Sequence, residues 1–83
     1  MSKQLVDGEQ VADYAWLKRT QRCWRVWIGN PFCVSLVRVP LDGRTRERVV
    51  ESIQIAQRFE RARFAQEFPD VAWVSMARAE VEE

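Results

Sequence analysis

The 83-residue chain predicts a small α+β fold: an antiparallel β-sheet of three to four strands packed by one long α-helix, with a short N-terminal helix added. Three observations carry this reading. Residues 22–39, RCWRVWIGNPFCVSLVRV, hold two alternating stretches around Gly29-Asn30-Pro31, the pattern of a β-hairpin. Residues 51–68, ESIQIAQRFERARFAQEF, are rich in good helix formers and stop at Pro69. A chain this short buries roughly 60% of its unfolded surface, so residues 1–83 are read as a single domain with one modest core.

The elements follow in order. Asp7-Gly8-Glu9-Gln10 is a capping-box variant. It starts a helix that runs to about Arg19 with Val11, Ala12, Ala15 and Trp16 on one side. A strand is the competing reading, because Ala12, Tyr14 and Trp16 alternate with Asp13. In the hairpin, Trp24, Val26 and Ile28 alternate with Cys23, Arg25 and Trp27. Phe32, Val34 and Leu36 alternate with Cys33, Ser35 and Val37. If the two apolar sets share a face, Ile28 lies opposite Phe32, Val26 opposite Val34 and Trp24 opposite Leu36. The connection is then three residues long. This register holds Cys23 and Cys33 roughly 13 Å apart at ~3.3 Å per residue, beyond disulfide reach.

Pro40-Leu41-Asp42-Gly43 signals a turn. Residues 44–50, RTRERVV, read either as a third strand or as the first turns of a helix capped at Asp42 or Thr45. At ~100° per residue, the long helix gathers Ile55, Ala56, Phe59 and Ala62 on one side, the expected core face. Val50, Ile53, Phe64 and Phe68 fall roughly opposite. Residues 71–81, VAWVSMARAEV, alternate as a final strand before a tail of Glu80, Glu82 and Glu83.

Composition narrows the function classes. With 47% apolar and 30% charged residues, the chain is ordinary for a folded protein. Net charge is +1 but unevenly spread: −2 over residues 1–17, +7 over residues 18–63 and −4 over residues 64–83. The basic middle is either an anion-binding face or a segment neutralised by acidic ends folded over it. The first ten residues hold no leader-like apolar region. The longest uncharged stretch falls short of the ~20 residues of a membrane span. A cytoplasmic location and no membrane contact are expected.

No catalytic constellation is evident. The chain has no His, the commonest general base and metal ligand. Two cysteines without His do not make a zinc site, and no serine sits in a nucleophile-elbow motif. The three glycines form no phosphate loop. Glu47, Glu51 and Glu60 read as solvated helix charges. The expectation is therefore no enzyme, no metal, no cofactor and no small-molecule substrate.

Binding functions remain. The first expectation is a non-catalytic protein-binding module, accessory or inhibitory, acting through the apolar helix face of Val50, Ile53, Phe64 and Phe68. Arg25 and Trp27 on the outer hairpin face would join it, since Trp and Arg often anchor interfaces. The same surfaces suit a homodimer. The alternative is a nucleic-acid-binding domain, with Arg22, Arg25, Arg38, Arg44, Arg46 and Arg48 on phosphates and Trp27 stacked on a base. A second alternative is a self-associating structural subunit. Converging arginines with aromatics between them favour nucleic acid. An exposed apolar helix patch favours a protein partner.

Overall fold

The structure, a computed structural model, describes residues 6–74. Four antiparallel strands form one sheet in the order β1-β2-β3-β4. They are β1 (Glu9–Ala12), β2 (Ala15–Arg19), β3 (Cys23–Gly29) and β4 (Val34–Pro40), and α1 (Arg46–Glu67) follows. This is the small α+β architecture expected of the sequence.

The N-terminal helix is replaced by a hairpin. β1 and β2 turn at Asp13-Tyr14 and pair Glu9 with Leu17 and Gln10 with Trp16, with a register shift before Ala12. β2 then pairs along its whole length with β3. The strand reading wins because β2 is an interior strand with apolar layers on both sides. Ala15, Trp16 and Leu17 are all buried, which a helix with one inward stripe would not achieve. Tertiary pairing overrides local propensity here.

The β3–β4 register also differs from expectation. Asn30 and Cys33 exchange both backbone hydrogen bonds, at 2.8 and 3.2 Å. Pro31 and Phe32 alone are then the turn. The Asn30 side-chain oxygen accepts from the N–H groups of Phe32 (2.8 Å) and Cys33 (3.1 Å). Asn at the first turn position and Pro at the second suit this geometry. The buried Gly29 is required beside it, since a Cβ there would lie 2.1 Å from the Cys33 carbonyl oxygen. The pairs become Trp24↔Val39, Val26↔Val37, Arg25↔Arg38 and Trp27↔Leu36. The slip from the expected register is an odd number of residues, so β4 shows its other face to the helix. Both cysteines are free.

Residues 44–50 resolve as loop and helix. Thr45 caps α1 and its side chain accepts from the Arg48 N–H at 3.2 Å. The helix ends at Phe68, whose N–H donates to the Phe64 carbonyl, one residue before Pro69. Of the final strand expected over residues 71–81, residues 71–74 are not strand. Residues 75–81 lie outside the described residues. Among the described residues, no helix is long and apolar enough to cross a membrane.

Two apolar layers result. On the helix side, Ala15, Leu17, Trp24 and Val26 pack with Val49 and Ile53. On the other side, Tyr14, Trp16 and Trp27 pack with Val6, Val34, Leu36 and Trp73. A Cβ at Gly8 would lie 2.9 Å from the Trp27 ring, so the N-terminal segment rests directly on that indole. α1 packs chiefly on β1, β2 and β3, and β4 projects beyond it.

Candidate functional site

The core face of the helix is opposite to the expected one. Its buried residues are Val49, Ile53, Gln57 and Phe64, whereas Ile55 is 41% and Phe59 72% exposed. The stripe was hidden by its own polar member. Gln57 sits in mid-stripe and is buried. Its Oε1 accepts from the Tyr14 N–H at 2.9 Å, and its Nε2 donates to the Gly29 carbonyl at 2.7 Å. The side chain thus ties the start of β2 to the end of β3, where the Gly29 N–H also donates to the Tyr14 carbonyl at 2.9 Å.

The expected apolar interaction patch is therefore dispersed. Ile53 is in the helix-side core and Val50 packs against it. Phe64 is buried and Phe68 partly exposed. Phe64 and Phe68 build an aromatic cluster with Phe32, whose ring centroid lies 5.4 Å from Phe64 and 4.9 Å from Phe68. Trp73 closes the cluster on Phe64 at 5.6 Å. Its indole N–H donates to Asp13 at 2.9 Å. Trp27 is likewise no surface anchor or stacking platform, being 3% exposed beneath the N-terminal segment.

In their place, the β4 side stands open among the described residues. Ala56, Glu60 and Arg63 of α1 line a cleft with Ile28, Cys33 and Ser35, so this flank of the helix overhangs β4. At ~100° per residue, Phe59 lies on the outer side of the same flank, while Ile55 points away from the sheet. Val37, on the helix side of β4, is 45% exposed. Glu60 holds the cleft end together by accepting from Asn30 Nδ2 at 2.7 Å and from Arg63 at 2.8 Å. Burial pushes the Glu60 carboxyl up, but these two donors outweigh it and leave its pKa lowered.

Among the described residues, nothing pairs with the outer edge of β4 either. Asn30 and Cys33 form a doubly bonded pair. Antiparallel alternation then turns the N–H and C=O groups of Val34, Leu36 and Arg38 away from β3. β4 runs seven residues without a register break. Sequence reasoning missed this edge because it depends on strand order and register.

The six expected cationic residues divide into places rather than one patch. Arg44 is taken up by Asp42 at 2.6 Å. The guanidinium's hydrogen bonds hold the Asp42 carboxyl down to about 2. Arg46 pairs with Glu9. Arg48 is exposed in the first turn of the helix. Arg22, Arg25 and Arg38 come together instead on the helix-free face. They line a shallow depression with Thr20, Gln21 and Cys23. Arg25 lies directly between Lys18 of β2 and Arg38 of β4 in the ladder. Its guanidinium is 5.9 Å from the Trp27 ring centroid. Asp7 reaches this face and pairs with Lys18 at 2.8 Å. The Lys18 hydrogen bond is the main cause that lowers the Asp7 pKa. The acidic N-terminal segment thus neutralises part of the basic middle through Asp7 and Glu9. Among the described residues, no carboxylate lies within ion-pair distance of Arg22, Arg25 or Arg38, and Asp7 acts on Arg25 only at longer range. Lys18, which the sequence reading passed over, belongs to this row, and only the strand register places it there.

Comparison with protein-family models, curated proteins and solved structures found no match for this chain.

Proposed function

We propose that this chain is a non-catalytic association module whose partner is a second copy of itself, joined edge to edge through β4. One observation carries the reading: among the described residues β4 is an outer strand with no partner on its far side, seven residues long and with the hydrogen-bonding groups of Val34, Leu36 and Arg38 turned away from β3. Such an edge is a ready template for another strand. An antiparallel β4–β4 contact is self-complementary, as a two-fold interface must be. Pairing centred on Leu36 sets Arg38 opposite the partner's Val34, so no like charges meet in register. It gives an eight-stranded sheet with both helices on the same side. The exposed Val37 residues meet beside the dyad, and Phe59 of each copy flanks the space above them. The Arg38 side chain and the Pro40 ring cap only the end of the edge, leaving Val34 to Val37 without the charges or bulges that blunt lone edges.

The test is sedimentation of the purified protein with a Val37→Lys variant. The parent sediments as a dimer, and the lysine pair near the dyad makes the variant a monomer with unchanged far-UV circular dichroism. A parent that stays monomeric at the highest concentration, or a variant that stays dimeric, overturns the reading.

A further inference from the structure

We propose that the helix-free face beside the β2–β3 turn binds the phosphodiester backbone of a nucleic acid, with Arg25 and Arg38 at its centre and Arg22 and Lys18 at its margins. This site lies on the side of the sheet opposite the apolar overhang and exists in a single copy of the chain, so it does not rest on self-association.

The register makes the case. Lys18, Arg25 and Arg38 are direct cross-strand neighbours on three successive strands. Like charges directly opposite each other destabilise a sheet. Asp7 pairs with Lys18, at 2.8 Å, and reaches Arg25 only through its longer-range charge; it is the one carboxylate among the described residues that pairs on this row. Arg22 reaches the same depression from the turn and adds to the excess. Arg25 is held over the Trp27 ring, a cation–π contact that restricts its guanidinium before any ligand arrives.

The size and character of the site select its ligand. Strands lie ~4.8 Å apart, so the three cations span about 10 Å across an open face. That suits a chain of anions better than one small ion. The lining of Thr20, Gln21, Arg22, Cys23, Arg25 and Arg38 offers no exposed large apolar side chain. Trp16 and Trp27 on this face are buried. Protein partners anchor on apolar and aromatic hot spots. Backbone phosphate binding needs charge alone, and Arg matches phosphate with its planar fork. Without an exposed aromatic, binding carries no base preference.

Fluorescence anisotropy of labelled single-stranded and duplex DNA, with labelled poly-glutamate as a control, tests the proposal on the full chain. About three phosphate contacts give a loss of about 40-fold in duplex affinity between about 50 and about 200 mM salt. R25A with R38A removes two contacts. It weakens binding at low salt and shrinks the salt effect to about 3-fold to 4-fold. Arg38→Glu is the second variant. It turns the Arg25–Arg38 clash into an opposite-charge pair, so the thermal midpoint holds or rises while DNA binding is lost. Absence of DNA binding at low salt overturns the proposal. So does a double variant with the parent's affinity and salt slope, or poly-glutamate binding as tightly as DNA.

Discussion

Gln57 is a polar residue in an apolar stripe, and its two hydrogen bonds explain why it is there. It satisfies the Tyr14 N–H and the Gly29 carbonyl where two strands end, groups that burial would otherwise leave unpaired at a cost of about 1–3 kcal/mol each. Gln57→Leu keeps the volume but orphans both, so urea unfolding should show a loss of about 2–4 kcal/mol. A loss below about 0.5 kcal/mol would mean that water replaces the amide without penalty. Gly29→Ala should be comparably damaging for a different reason, because its Cβ meets backbone atoms of Cys33 and Val34 at 2.1 and 2.6 Å, which cannot swing aside as a side chain can. Phe64→Ala opens a cavity among Phe32, Phe68 and Trp73. It should cost about 3–5 kcal/mol in the same assay. Phe59→Ala, at the exposed residue that the sequence pattern assigned to the core, should leave the unfolding midpoint nearly unchanged.

At the scale of elements, the sequence revealed what repeats and concealed what depends on pairing. β3, β4 and the body of α1 were legible because each shows its own period. The β1–β2 hairpin was only half legible: the alternation of Ala12, Tyr14 and Trp16 offered the strand as the competing reading, but β2 buries Ala15, Trp16 and Leu17 on both its faces, which blurs the pattern. The helix face was misread because Gln57 interrupts its stripe and Val49 precedes the assumed start. The register slip had the largest effect on the candidate site. A two-residue turn in place of three moved Arg38 beside Arg25, where the expected register set Ser35. The loop before α1 offers a pH test. The Asp42 carboxyl is held at about 2 against an ordinary 3.8 by Arg44. Its contribution is therefore present above pH ~3.8 and lost as pH falls through about 2. An NMR titration of the Asp42 carboxyl should show that low midpoint, and Arg44→Ala should return it to near 3.8. An unchanged midpoint in the variant would assign the shift to another cause.

Across the whole molecule, charge and apolar surface are sorted by place. The strand ends at the β2–β3 turn, the end of β4 and the start of α1 gather most of the arginines at one end of the sheet. Asp7, Glu9 and Asp42 offset Lys18, Arg46 and Arg44 in pairs. These pairs are exposed, and exposed pairs contribute little to stability, so their chief effect is on the field that a ligand meets. In the proposed dimer the two arginine rows would lie on one continuous face. The dimer should then bind duplex DNA more tightly than the Val37→Lys monomer, through effective concentration alone. Equal affinities in the two forms would show that the rows act independently.

The two outer strands are unlike. β4 is long and regular. β1 has four residues and a break in its register, and Gln54 of the helix takes the Val11 carbonyl at 3.1 Å. A sheet with two good edges can recruit copies without limit, and its end point is a fibril. A sheet with one good edge counts to two and stops. Repairing β1 into a straight, seven-residue strand would remove the stop, and this small protein would be expected to polymerise.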